Sequence, residues 1–393
     1  MKLVRFSIFF LFLSYIIFYL DSSGLGQKLK WFSVFFLLFS LFLQFRKGVP
    51  KKVIPKIHMW IWLIVFDILG LITSIYFDIL SNSLSTLIGL NFYFLIFYLV
   101  AHSIQKDDNE LIRVNKIIII TSAILVIFAF VINLPLTLSQ FHTYFYGRIR
   151  IYGIFQHPNY LGGVCFISLL ACFINLKLTN EYKKTYIITI LLFLTFLKFS
   201  DSRGGMYSFI IFLIVYYLLT FVNKFKNPFL RLFIFSFTFS LVILTLVLSE
   251  NFASSILGND DLLNDFTSGR VDNWRFLMDN FILKDHFILL FGHGFSSVLY
   301  LVNIGLNTDN GYVVWLFEAG LLNLIMIISL LLYLFFTTLR SKEWNVFGIA
   351  IFSSYATYAF FENFLMNFGH IVPFYCWTML FLSLFAKKRN MYV

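Results

Sequence analysis

Apolar runs long enough to cross a bilayer recur along this chain, at roughly 3–20, 31–45, 57–77, 84–104, 117–134, 158–176, 186–199, 204–222, 229–249, 309–335, 345–365 and 370–386. A helical crossing takes about 20 mostly apolar residues through about 30 Å of hydrocarbon. Within lipid every backbone amide needs an internal partner, so such runs must be helices. A transmembrane barrel would instead show short alternating segments, and these runs do not alternate. The expectation is an all-α membrane protein of about twelve transmembrane helices, a single polytopic domain over 1–393. Composition agrees: 60% of residues are hydrophobic, 12% are charged, 54 are Phe, and mean hydropathy is +0.85. A soluble domain carries about 25% charged residues.

Charge sets the direction of the first crossing. With the N-terminus inside, most of the 30 Lys and Arg residues fall on cytoplasmic segments, among them Lys51, Lys52, Lys56, Lys183, Lys184, Lys387 and Lys388. The asymmetry alternates loop by loop, which points to an even count with both termini cytoplasmic. The net charge of +11 is thereby absorbed by topology, and no nucleic-acid partner is implied. Lys2 and Arg5 before the first run resemble a signal peptide, but the run ends in Asp21-Ser22-Ser23-Gly24 without a small-x-small cleavage pattern and reads as the first span. Cys165, Cys172 and Cys376 all fall inside spans and suggest neither a disulfide framework nor a metal site.

Two outer loops are long, at about 135–157 and about 250–308. Long polar loops on a membrane scaffold usually carry function. In the second loop Trp274, Leu277, Met278, Phe281 and Ile282 recur at helical spacing, which predicts a short amphipathic helix on the membrane surface. Outer-side arginines run against the charge asymmetry: Arg148 and Arg150 in GRIRIYGIFQHPNYLGG, Arg203 in DSRGG, and Arg270 in TSGRVDNW. Each alone reads equally as loop charge or a lipid-headgroup contact. Four of them, each beside glycine or a turn, suggest an anion site, because guanidinium fits phosphate oxygens in bidentate fashion and glycine lets backbone amides approach.

Other polar residues stay open between structural and functional roles. His157 precedes Pro158 at a helix start, either as an interface residue or as a substrate hydrogen-bonding group. Asp309 or Asn310 is a candidate N-cap for the run that follows. Glu318 lies inside that run, where an ionisable group costs about 2.5–3.5 kcal/mol and therefore implies either an arginine partner or a function. Asp67 falls under the same rule without an obvious partner.

Four motifs in order resemble the O-antigen polymerase and O-antigen ligase superfamily of bacterial surface-polysaccharide assembly. The first is Arg150, Gly153, Pro158, Asn159 and Gly162. The second is Ser202, Arg203 and Gly204. The third is Gly269, Arg270 and Trp274, followed by Gly292 and Gly294. The fourth is Asn310, Glu318 and Gly320. The resemblance spans roughly 145–325; the first third of the chain matches only as generic spans.

The resemblance implies a glycosyltransferase of the bacterial plasma membrane whose active site faces outward. Its donor would be an undecaprenyl-diphosphate-linked oligosaccharide, with no cofactor and no metal. Arg150 and Arg270 would act on the diphosphate, with Arg203 and Arg148 beside them. His157, Asn159, Asn310, His293 and Glu318 would contact substrate. A chain-length regulator and a flippase are the implied protein partners. Ligases of the group commonly carry a histidine as general base directly before the Asn. Here that position is Asp309, which departs from the ligase pattern and leaves room for a polymerase in which Asp309, or nearby His293, does the proton work. The alternatives are a ligase-type glycan transferase, a transporter such as the flippase for these lipids, and a non-catalytic scaffold.

Overall fold

The computed structural model describes residues 2–20, 24–46, 57–77, 79–105, 108–131, 134–140, 142, 144–145, 148–155, 157–224, 270–303, 309–341, 344–367 and 370–385. Apart from a two-stranded hairpin, the regular elements among these residues are helices. Helices α1 (Lys2–Leu20), α2 (Leu25–Phe45), α3 (Ile57–Tyr76), α4 (Leu80–Gln105) and α5 (Asp108–Val131) lead to a short α6 (Leu134–Gln140) and the hairpin β1 (Tyr144–Phe145) and β2 (Arg148–Ile149). Next come α7 (Pro158–Leu178), α8 (Lys183–Ser200) and α9 (Arg203–Val222). After Arg270 follow α10 (Arg270–Leu277), a π-helical turn (Met278–Ile282), α11 (His286–Phe291), α12 (Val298–Asn303), α13 (Gly311–Leu339), α14 (Asn345–Phe361) and α15 (Ile371–Phe381).

Among the described residues, seven helices are long and apolar enough to cross a membrane: α2, α3, α4, α5, α7, α9 and α13. α14 and α15 are shorter and apolar. This is a helical, multi-pass membrane protein. The span expected over 229–249, and residues 250–269 and 304–308 of the large loop, lie outside the described residues. α2 and α8 are longer than the runs at 31–45 and 186–199. Their first turns carry Gln27, Lys28 and Lys30, or Lys183 and Lys184, which suit a helix but end an apolar run. A short helix does form from Trp274 to Ile282, as α10 and the π turn, with Leu277 and Ile282 buried against Phe317 and Leu301.

α7 is the central helix; its residues from Leu161 to Asn175 are all buried. Glycine sets its approach to α9, because a Cβ on Gly162 would stand 2.2 Å from that of Ser202. Small residues at such crossings let backbones pack closely in a membrane. Asn175 ties the far end together: its amide donates to the Tyr186 hydroxyl on α8 at 3.2 Å, and its Oδ1 accepts from Asn115 on α5 at 3.0 Å. His370 gathers the near end, with its ring 6.1 Å from Phe18, 5.6 Å from Tyr160 and 4.5 Å from Phe364. The end of α1 and the starts of α7 and α15 therefore share one face of the bundle with the loop after α14. Asp67 does have a partner: Asn91 on α4 donates to its two carboxylate oxygens at 3.0 and 3.1 Å.

α13 is not the single straight helix that an apolar run from 309 to 335 suggests. Gly320 leaves helical geometry, with φ 75° and ψ 175°. The break strips the carbonyls of Phe317 and Glu318 of their usual helical partners. The loop after α11 supplies replacements: His293 N–H donates to Phe317 O and Gly294 N–H to Glu318 O, both at 2.8 Å. At the crossing, a Cβ on Gly292 would lie 2.4 Å from Glu318 O, and one on Gly320 would lie 2.4 Å from Leu290 O.

Candidate functional site

On the near face of the bundle, the chain first places Arg150. Gln140 at the end of α6 sets the loop: its Oε1 accepts from Tyr152 and Gly153 N–H at 3.0 Å, and its Nε2 donates to Gly153 O at 2.9 Å. Gly153 takes φ 60°, a left-handed conformation natural to glycine. With the loop fixed, the Arg150 guanidinium reaches the end of α8, where Nε donates to Ser200 O at 3.0 Å and Nη2 to Asp201 O at 3.3 Å. Nη2 also donates to Asn159 Oδ1 at 2.7 Å.

Asn159 turns this into a chain of contacts, because its Nδ2 donates to Glu362 Oε2 at 2.9 Å. Glu362 follows the last residue of α14 and is buried. Its other oxygen stands 3.7 Å from Arg270 Nη2. The same nitrogen pairs with Asp309 Oδ2 at 2.9 Å, while Nη1 donates to Phe361 O. Two arginines from segments far apart in the sequence thus converge on one amide and two carboxyls. Asn310, next to Asp309, is the N-cap of α13 and accepts from Tyr312 N–H at 2.9 Å and Val313 N–H at 3.2 Å. Gly311 N–H closes the ring on Glu362 O at 3.1 Å.

The electrostatics follow from burial. Burial pushes the Glu362 carboxyl up to about 8; the Asp309 charge adds to this, and Arg270, the Asn159 hydrogen bond and Arg150 oppose it. Glu362 therefore holds its proton at neutral pH. His157 caps α7, its Nδ1 accepting from Asn159 N–H at 3.1 Å. Burial lowers it to about 4; Arg150 and Arg270 contribute and Asp309 opposes, so its ring is neutral. With Glu362 uncharged, two guanidinium groups converge beside the Asp309 side chain, an arrangement that suits an anion.

The remaining sequence candidates separate. Arg203 opens α9 behind the Ser202 N-cap, and the neighbouring Gly204 packs on Phe361 and Glu362. That places Arg203 beside the cluster. Arg148 lies on β2, and its side chain is outside the described residues. His293 and Glu318 belong to the α13 crossing. The His293 ring stacks on Phe317 at 4.3 Å, and burial lowers its pKa. Glu318 Oε1 accepts from Val298 N–H at 3.1 Å, a partner other than the arginine that a buried acid suggests. The glycine motifs also find places: Gly292, Gly294 and Gly320 form the backbone crossing, and Gly162 and Gly205 form the α7–α9 contact.

Glu362 was not among the residues singled out from sequence. The signal was present, since it is an ionisable residue within the apolar run at 345–365, under the same rule that marked Glu318 and Asp67. Among the described residues no group of three His, Cys, Asp or Glu side chains could hold a metal ion. No protein-family model matches the chain, and no curated protein matches it.

Proposed function

We propose that this protein is a glycosyltransferase of the bacterial plasma membrane that polymerises oligosaccharide repeat units carried on undecaprenyl diphosphate, with the site on the outer face. The observation that carries the reading is the convergence of Arg150 and Arg270 around Asn159, Glu362 and Asp309 at one end of a membrane bundle. A lipid-linked diphosphate offers its phosphates at that depth, and guanidinium groups fixed beforehand stabilise charge developing on a leaving diphosphate. About twelve crossings with both termini cytoplasmic would put the arginines outside.

In the proposed step an acceptor hydroxyl oxygen attacks the anomeric carbon of the donor. The bond from that carbon to the diphosphate oxygen breaks, and its electron pair leaves on the diphosphate. The hydroxyl proton passes to Asp309. At rest Arg270 is occupied by Asp309 and Glu362; the diphosphate takes their place on the guanidinium and leaves Asp309 free to accept the proton. Glu362, uncharged, keeps the site positive while the donor sits there. Arg203 is a further phosphate contact.

The test is reconstitution of the purified protein with the host's lipid-linked repeat unit. A ladder of products spaced by one repeat supports the reading. A single transfer product points to a ligase. Intact donor with folded protein sinks both. A transporter of the same lipids is the second reading, and the break at Gly320 favours it, since transporter helices are often discontinuous near their binding sites. Donor that crosses the membrane unconsumed would establish it.

A further inference from the structure

A cavity of about 620 Å³ lies beside the arginine cluster, between the N-terminal halves of α2, α4 and α13, the start of α12 and the loop after α14. It borders the cluster directly: Asn363 on its wall follows Glu362, and Gly311, also on its wall, donates to Glu362 O. Among the described residues, two donors on that wall have no hydrogen-bond acceptor. Lys30 on α2 is 7% exposed, and its ammonium sits over the Phe18 ring at 4.3 Å with no ion pair to any described carboxylate. Trp315 on α13 is 5% exposed, and its Nε1 has no acceptor. A buried ammonium without an anion is costly, and so is a buried N–H without an acceptor. Both point to a ligand that carries a negative charge and further acceptors.

The rest of the lining narrows the ligand. Trp31 and Tyr93 present aromatic rings 6.2 Å apart, and Glu318 and Asn363 add hydrogen-bonding groups. A pyranose has an apolar C–H face and a rim of hydroxyls, which aromatic faces mixed with amide and carboxyl groups accommodate. We infer that this cavity binds a segment of saccharide containing an acidic sugar, with Lys30 on the sugar carboxylate and Trp315 Nε1 donating to a sugar oxygen. The inference rests on the polymerase reading for the source of the saccharide, which is the growing glycan next to the reacting end.

The test uses the full-length protein in lipid nanodiscs. The probe is short fragments of the host's own surface polysaccharide, native and with their carboxyl groups reduced to alcohols. Emission from Trp31 and Trp315 reports binding. Native fragments bind saturably, while carboxyl reduction or Lys30→Gln weakens binding roughly 10- to 100-fold. Lys30→Arg restores most of it, and the melting temperature of Lys30→Gln stays at or above that of the parent. No saturable change, equal affinity for reduced fragments, or full affinity in Lys30→Gln overturns the inference, as does a host polysaccharide without acidic sugars. Fragment binding without a product ladder would sink the polymerase reading and leave the cavity as a saccharide site. A ladder without fragment binding would sink the cavity alone.

Discussion

Arg270 is held by three oxygens of its own protein: a carboxylate of Asp309, a carboxyl of Glu362 and the carbonyl of Phe361. On the proposed polymerase reading, Arg270→Ala removes a stabiliser of the leaving diphosphate, and polymer formation should fall about 10²–10³-fold in the ladder assay. On the same reading, Asp309→Asn removes the proposed proton acceptor and should lower the rate about 10²–10⁴-fold with the donor still bound. Initial rates and donor saturation curves separate the two. Glu362 gives a pH test. Its pKa is raised to about 8, so it is neutral below that value and ionises as pH rises through it. The new negative charge cancels part of the guanidinium charge, so apparent donor affinity falls above about 8. Glu362→Gln is neutral at every pH and loses that alkaline limb. Stability follows the same sign. Between the ordinary carboxyl value of 4.5 and about 8 the folded chain holds a proton that the unfolded chain has lost, so stability declines with rising pH across that window, and the Gln variant removes the slope. Arg150 and Arg270 were legible as cations on the wrong side of a charge pattern. Their convergence was not, because it depends on Asn159 and Glu362, 203 residues apart.

The helices carry the next level. Gly162→Ala places a methyl inside the α7–α9 contact, and overpacking of this kind costs about 1–3 kcal/mol. A lower melting temperature of the detergent-solubilised protein is the expected result. Gly320→Ala meets Leu290 O at 2.4 Å and takes a backbone conformation that belongs almost wholly to glycine, at about 1–3 kcal/mol. It should melt lower still, because steric conflict and strain coincide there. Helix positions were readable from apolar runs, but their ends were not: hydropathy stops at the first lysine, whereas helix continues through it. The break in α13 was hidden because the residues on both sides of Gly320 are apolar. The Gly-x-Gly at 292–294 and the Glu-x-Gly at 318–320 read as two motifs and are two sides of one crossing.

At the scale of the molecule, the helix ends that meet at His370 and Glu362 lie on one face, and the α7–α8 turn lies on the other. Cys165, Cys172 and Cys376 are fully buried, so a membrane-impermeant maleimide should leave the parent protein unlabelled. In a cysteine-free background, Lys284→Cys should label in intact spheroplasts and Asn180→Cys only after permeabilisation. The reverse pattern would turn the arginines inward and end the proposal of an outward-facing site. The membrane class was readable because lipid leaves so few backbone solutions. The pairing of distant segments was not, since apolar runs do not specify their neighbours. The crossing at Gly320 bears on biogenesis. The carbonyls of Phe317 and Glu318 have no helical partner of their own, and their donors, His293 and Gly294, belong to the segment made just before α13. Each piece supplies hydrogen bonds to the other, so α11, its loop and the first half of α13 are expected to become ordered together during insertion.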